Sequence, residues 1–295
     1  MTDAPSHPAP SRPAPGGHLA LFAGLVLVST SGPFVVKAGM DAVAVVLYRT
    51  TLAAAIFLAF AALRGQLASL RPHAPRLALG GLLLATHFLL WIKAFDLTDV
   101  ASNLLLLVAQ PVAGAALGAW LGERPTRGTY LALGLAAAGL AVIAGGDISL
   151  GPRALLGDAM CLVGAFTIAL FYVVTREARS AMPLAPFMAG TMACAALITA
   201  PVALFAGTTL TGHAAESWAW LGALVLLTTV GGHGLMNLAA TRVRLFTVNL
   251  VIVLEPAIAL ALGAWLLGTG VTAIQLGGGV LLAASVIVGM RPERS

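Results

Sequence analysis

Ten apolar runs, each close to the length a helix needs to cross a bilayer, leave this chain few ways to fold. They fall near 18–37, 42–63, 76–95, 100–121, 127–145, 154–175, 186–206, 217–239, 246–267 and 272–290. Crossing the hydrocarbon core takes about 20 helical residues, and polar loops separate the runs. None alternates apolar and polar residues with period two, so helices rather than a β-barrel are expected. Only 9% of the residues are charged and 59% are hydrophobic, against about 25% charged in soluble domains. A water-soluble fold could not hide that much apolar surface. The expected fold class is all-α integral membrane, with lipid as the solvent. The Pro-rich stretch 1–17 reads as a disordered tail and 291–295 as a short C-terminal one. Without a basic n-region or a small-residue cleavage site, the first apolar run reads as a retained span, not a signal peptide.

The chain also repeats itself. Residues 116–121 read ALGAWL, and residues 261–266 read ALGAWL again, 145 positions later. In the same register Pro111 recurs as Pro256, Gln110 aligns with Glu255, and Gly134 with Gly279. A match that carries Pro, Gly and Trp at half the chain length is an internal duplication. Its halves are 18–145 and 154–290, with five runs in each. Because five is odd, equivalent spans cross the membrane in opposite senses, giving ten transmembrane helices as two inverted five-helix repeats. Such repeats usually place a site at their interface and rock around it. Of the 16 Lys and Arg residues, 12 fall on the side of the N-terminus. The positive-inside rule then puts both termini in the cytoplasm.

The ordered set of a proline late in span 4, then Leu121-Gly122-Glu123-Arg124-Pro125, then a glycine-spaced span (Gly134, Gly139) resembles the EamA-type repeat of the drug/metabolite transporter superfamily. Arg49 inside span 2 and Leu254-Glu255-Pro256 in the second copy belong to the same pattern. The resemblance runs from about residue 18 to residue 290. It implies a central cavity and transport of small solutes, most often export. One departure stands out. Glu123 corresponds to Gly268, so the second copy lacks the acid that this family usually carries in both.

A charge at the bilayer centre costs about 2.5–3.5 kcal/mol on insertion scales, so polar groups inside spans need a reason. Glu255 is the deepest acid. It is a candidate for proton coupling or substrate binding, or for pairing with Arg49. Arg49, the deepest base, would hold a substrate carboxylate or balance Glu255. His87 and Trp91 share a face of span 3 at i, i+4, and His233 and Asn237 repeat that spacing on span 8, its counterpart. These four are expected to line one cavity. Asn103 and Asn249, early in spans 4 and 9, are weaker substrate-binding candidates, since amides also serve as glue between helices. Pro111 and Pro256 are candidate gating kinks. Glu123 is expected to pair with Arg124 and Arg127 in a loop and hold one conformational state. Trp120 and Trp265 read as interfacial anchors, and Gly114, Gly118 and Gly277–Gly279 as helix packing.

No phosphate loop, zinc-protease or nucleophile-elbow motif occurs, and no His, Cys, Asp or Glu cluster has metal-ligand spacing. No catalytic residue, cofactor or metal is expected. Cys161 and Cys194 lie in apolar runs and do not suggest a disulfide framework. The basic balance belongs to membrane orientation rather than to nucleic acid. The expectation is a secondary transporter in a bacterial inner membrane, moving amino acids, related amphipathic metabolites or drugs by alternating access. Its partners would be the solute, the lipid bilayer and, as a candidate coupling ion, the proton. The sequence leaves oligomeric state open. The alternative is an intramembrane enzyme acting on a lipid or lipid-linked substrate.

Overall fold

The computed structural model describes residues 16–94, 97–98, 106–144, 151–268 and 270–291. Among the described residues, nine helical stretches are long and apolar enough to span a membrane. They are Gly17–Ala38, Ala42–Leu63, Leu67–Ala94, Arg127–Ala144, Pro152–Arg179, Leu184–Phe205, Ala215–Ala239, Leu245–Leu266 and Ala273–Met290. These are spans 1, 2, 3, 5, 6, 7, 8, 9 and 10. Span 4 is seen as the helix Ala109–Trp120, and its beginning lies outside the described residues. Large apolar side chains such as Leu204, Phe205 and Leu197 are exposed on outward faces, as lipid contact allows.

The packing of the spans is symmetric under exchange of the two halves. Span 1 packs on span 8, and span 6 packs on span 3. Spans 2 and 7, 4 and 9, and 5 and 10 pair with their own copies. Span 3 contacts span 7 as span 8 contacts span 2. Small residues bring these helices together. At the crossing of spans 5 and 10, a Cβ on Gly139 would stand 2.9 Å from the Gly278 carbonyl oxygen, and one on Gly278 would stand 2.8 Å from that of Gly139. Gly114 similarly admits Asn249 of span 9. Trp120 and Trp265 are exposed at the helix ends.

Four spans depart from regular α-helix partway along their length. Span 1 breaks at Ser29–Thr30, whose hydroxyls donate to the Leu25 carbonyl at 2.9 Å and the Leu27 carbonyl at 2.6 Å. Those bonds meet carbonyls that lipid could not. Span 8 winds as a π-helix over Leu224–His233, where Thr229 Oγ1 donates to Leu224 O five residues back. Span 9 passes through the 3₁₀ turn Val251–Leu254 ahead of Pro256. Proline has no N–H for the carbonyl four residues back; here the Glu255 N–H takes over the Ile252 carbonyl. The first copy does the same, with Gln110 N–H on Leu107 O at 3.2 Å ahead of Pro111.

Candidate functional site

A cavity of about 450 Å³ lies between the two halves, walled by spans 1 to 4 from the first and spans 6, 8 and 9 from the second. It sits beside these irregular stretches, where backbone irregularity often marks function. Toward the end of the bundle where span 1 turns into span 2, it reaches Gly32, Val36 and Ala42, and Val36 is exposed there. Toward the other end, which carries most of the arginines, its wall stops at Tyr172 and Met236.

Of the residues expected at a site, Arg49, His87, Trp91, His233, Glu255 and Pro256 all line this cavity. Arg49 is buried, its guanidinium lying 4.2 Å from the centre of the Phe88 ring and its Nε donating to Thr229 Oγ1 at 3.3 Å. Phe88 in turn takes the His233 ring against it at 5.5 Å in a T-shaped contact. His87 Nδ1 is 2.9 Å from the Gly164 carbonyl of span 6, which fixes the ring as a stacked neighbour of Trp91 with 6.2 Å between centres. Glu255 opens the second half of span 9, with Pro256 next to it. Arg49 and Glu255 are within electrostatic reach of each other.

Other expectations need correction. Asn237 and Asn249 do not line the cavity. Asn237 is completely buried, accepts from Thr175 Oγ1 of span 6 at 2.9 Å and donates to the His233 carbonyl at 2.8 Å. Asn249 accepts from Gln110 Nε2 of span 4 at 3.2 Å and donates to Leu245 O at 2.9 Å. A buried amide must fill its valences, and both do so between helices rather than toward a ligand. Pro111 is buried beside the cavity without lining it, and Asn103 lies outside the described residues.

Glu123 is the largest correction. It lies in the connection after span 4 but is buried, and its partner is not Arg124 or Arg127 but Arg176 of span 6, with Nη1 to Oε1 at 2.5 Å. Gly122, at φ 89, turns the chain so that the acid folds back under the bundle. There both carboxylate oxygens also accept from the Leu245 N–H at the start of span 9, at 3.1 and 3.0 Å. Arg176 in turn donates to Ala240 O at 3.0 Å and Val243 O at 2.9 Å. This latch joins the connection after span 4, the end of span 6 and the connection between spans 8 and 9, beyond the closed end of the cavity. Its counterpart position is Gly268, at φ 68 with no side chain to offer. At that opposite end Phe34 packs on Trp220 and Tyr48 donates to the Leu210 carbonyl instead.

Sequence reasoning missed Gln110, Tyr172 and Phe88 as cavity residues. For Gln110 a signal existed, because the duplication aligns it with Glu255. Phe88 and Tyr172 carried none, being aromatic residues in apolar runs.

Residues 15–145 and again residues 155–290 match the model of the EamA-like transporter family. The chain belongs to that family. It is therefore a multi-pass membrane transporter with two EamA domains, and the intramembrane-enzyme alternative falls away. No curated protein matches it. Among 28 matching chains of solved structures is one described only as "Crystal structure of protein". That chain is 18% identical, with a TM-score of 0.81 over 95% of this EamA transporter and 97% of its own length. At that identity the likeness speaks for the fold alone.

Proposed function

We propose that this EamA-family protein is a secondary transporter that moves small metabolites, amino acids or related amphipathic solutes, or drugs across a bacterial inner membrane by alternating access, in the direction of export. Both termini lie in the cytoplasm, so the arginine-rich end of the bundle is the cytoplasmic one. The observation that carries this reading is the cavity between the inverted halves, which reaches the outer end and stops short of the Glu123–Arg176 latch. The described conformation is then outward-facing. Exchanging the conformations of the two near-equivalent halves would close the outer end and open the inner one. Gln110 with Asn249, and the Leu107 and Val251–Leu254 irregularities before Pro111 and Pro256, lie where spans 4 and 9 would have to move. Glu255 is the candidate coupling group. It faces the cavity and, among the described residues, makes no hydrogen bond and no ion pair within 4.0 Å.

Uptake into proteoliposomes tests this, using a radiolabelled metabolite panel with and without an imposed pH gradient. Gradient-driven accumulation supports coupled transport, and flux without gradient dependence supports exchange or facilitated diffusion. Absence of flux for every solute with a folded protein would contradict the reading.

A further inference from the structure

We propose that Arg179 and Arg242, at the arginine-rich end of the bundle, hold the phosphate of an anionic phospholipid headgroup, and that the bound lipid favours the latched conformation.

The three segments that the Glu123 latch joins carry a surplus of positive charge. Residues 121–127, 176–183 and 239–245 hold six arginines and two acids. One acid, Glu123, is taken by Arg176. The other, Glu177, is exposed and two residues from Arg179 along the helix, so the two side chains do not face each other. Arg244 reaches the Arg124 carbonyl at 3.2 Å. Arg179 and Arg242 remain, and the fold brings them within electrostatic reach of each other. Arg179 Nη1 donates to the Met182 carbonyl at 3.0 Å, which fixes the guanidinium, yet its Nε is buried without a hydrogen-bond partner. The Arg242 guanidinium makes no hydrogen bond or ion pair among the described residues. Its stem is backed by span 1, where a Cβ on Gly17 would stand 2.9 Å from Arg242 Cβ. Two neighbouring like charges, one with a buried donor unmet, are costly to keep unless an anion joins them. A phosphate, with several charged oxygens, meets two guanidinium forks at once.

Depth selects a lipid as the source of that phosphate. Span 6 runs 28 residues from Pro152 to Arg179, about 42 Å of helix against about 30 Å of hydrocarbon. Arg179 ends that helix and so stands in the headgroup layer. Arg179 and Arg242 are both partly exposed, which leaves a headgroup a way in. Basic pockets between spans on the cytoplasmic side suit anionic headgroups. Position also gives the lipid a conformational role. Arg176, one turn before Arg179, donates to the Ala240 and Val243 carbonyls on either side of Arg242. A phosphate between Arg179 and Arg242 adds a second tie from the end of span 6 to the connection between spans 8 and 9, parallel to the latch. Lipid binding and latching then reinforce each other reciprocally.

The test uses purified full-length protein and native mass spectrometry, with phosphatidylglycerol, phosphatidylcholine of the same acyl chains and inorganic phosphate as probes. Phosphatidylglycerol should bind about 10- to 30-fold tighter than phosphatidylcholine. Arg179→Gln and Arg242→Gln should each weaken it about 5- to 10-fold. Arg127→Gln, which removes an exposed charge from the same end, should leave it unchanged. The wild-type comparison of lipids needs no variant, so a misfolded variant does not protect the inference. Equal affinity for the two lipids overturns it, and so does an equal loss from Arg127→Gln, which would mean a diffuse field without a site. Displacement of phosphatidylglycerol by an equal concentration of inorganic phosphate would make the ligand a free anion and overturn the lipid assignment. In nanodiscs, spin labels at Arg124 and Glu177 in Glu123→Gln should favour the short distance about 5-fold more with phosphatidylglycerol than with phosphatidylcholine. Identical distance distributions in the two lipids overturn the conformational role. Binding is read without transport, so a protein that carries no solute leaves the site standing.

Discussion

Replacing Glu123 by Gln should unlatch the arginine-rich end. Glu123 joins three segments at once through Arg176 Nη1 at 2.5 Å and the Leu245 N–H at about 3 Å. Glutamine keeps the shape and an acceptor for Leu245 N–H but loses the charge opposite Arg176. A hydrogen bond to a charged group contributes about 1.5–3 kcal/mol. The Glu123 side chain is 4% exposed and that of Arg176 24%, so screening trims this only modestly, and Arg176 keeps the Ala240 and Val243 carbonyls to limit the loss. The second copy has Gly268 in place of the acid, so no equivalent bond is lost from the opposite end. The whole effect should therefore fall on the latched state, shifting the equilibrium toward inward-open by roughly 10- to 150-fold. Spin labels at the exposed positions Arg124 and Glu177, with Cys161 and Cys194 replaced, read the separation across the latch. Pulsed dipolar spectroscopy should show a single short distance in wild type and a substantial longer population in Glu123→Gln. Identical distance distributions in the two proteins, both folded, would refute the role of the latch.

Other predictions address the glue, the helix crossings and the coupling group. Asn237→Ala should cost about 0.6–1.7 kcal/mol of stability, typical of an interhelical bond in a membrane, and leave solute selectivity unchanged; altered selectivity would return Asn237 to the cavity. At the crossing of spans 3 and 7, a Cβ on Gly81 would stand 2.3 Å from Cys194 Cβ and 2.8 Å from the Thr191 carbonyl oxygen. Gly81→Ala should therefore lower stability by about 1–3 kcal/mol, read as a reduced thermal midpoint. Gly134→Ala, with nothing within 4 Å of the added carbon, should be neutral or mildly stabilising. Glu255→Gln should abolish the response of transport to an imposed pH gradient if that carboxylate carries the proton; an unchanged response would sink the assignment.

The architecture was legible because lipid leaves little choice. Apolar run length alone located most of the spans within a few residues, though span 3 begins at Leu67 rather than near 76, and the repeated ALGAWL segment already marked span 9 as the copy of span 4. The cavity was legible only in part. A charge or imidazole in an apolar run signals its own burial cost, so Arg49, His87, His233 and Glu255 stood out. Asn237 and Asn249 gave the same signal for a different reason, since an amide tying helices together and one facing a solute look alike in sequence. Glu123 misled because Arg124 and Arg127 are nearer along the chain. Its partner Arg176 is 53 residues away, and only the turn at Gly122 brings them together. The π-helical winding of span 8 left no trace in composition. Within that stretch Gly232 fits closely against Val28 of span 1, a contact between distant parts of the chain.

The central claim, that one cavity is exposed alternately to the two sides, is tested most directly by a single cysteine inside it. Ala259→Cys on the cavity wall of span 9, in a background lacking Cys161 and Cys194, would be probed with a membrane-impermeant thiol reagent added to either side of oriented vesicles. The account predicts labelling from the outer side in the resting protein, and labelling from the cytoplasmic side as well once Glu123→Gln is introduced. Labelling from the outer side alone under both conditions would contradict alternating access through this cavity.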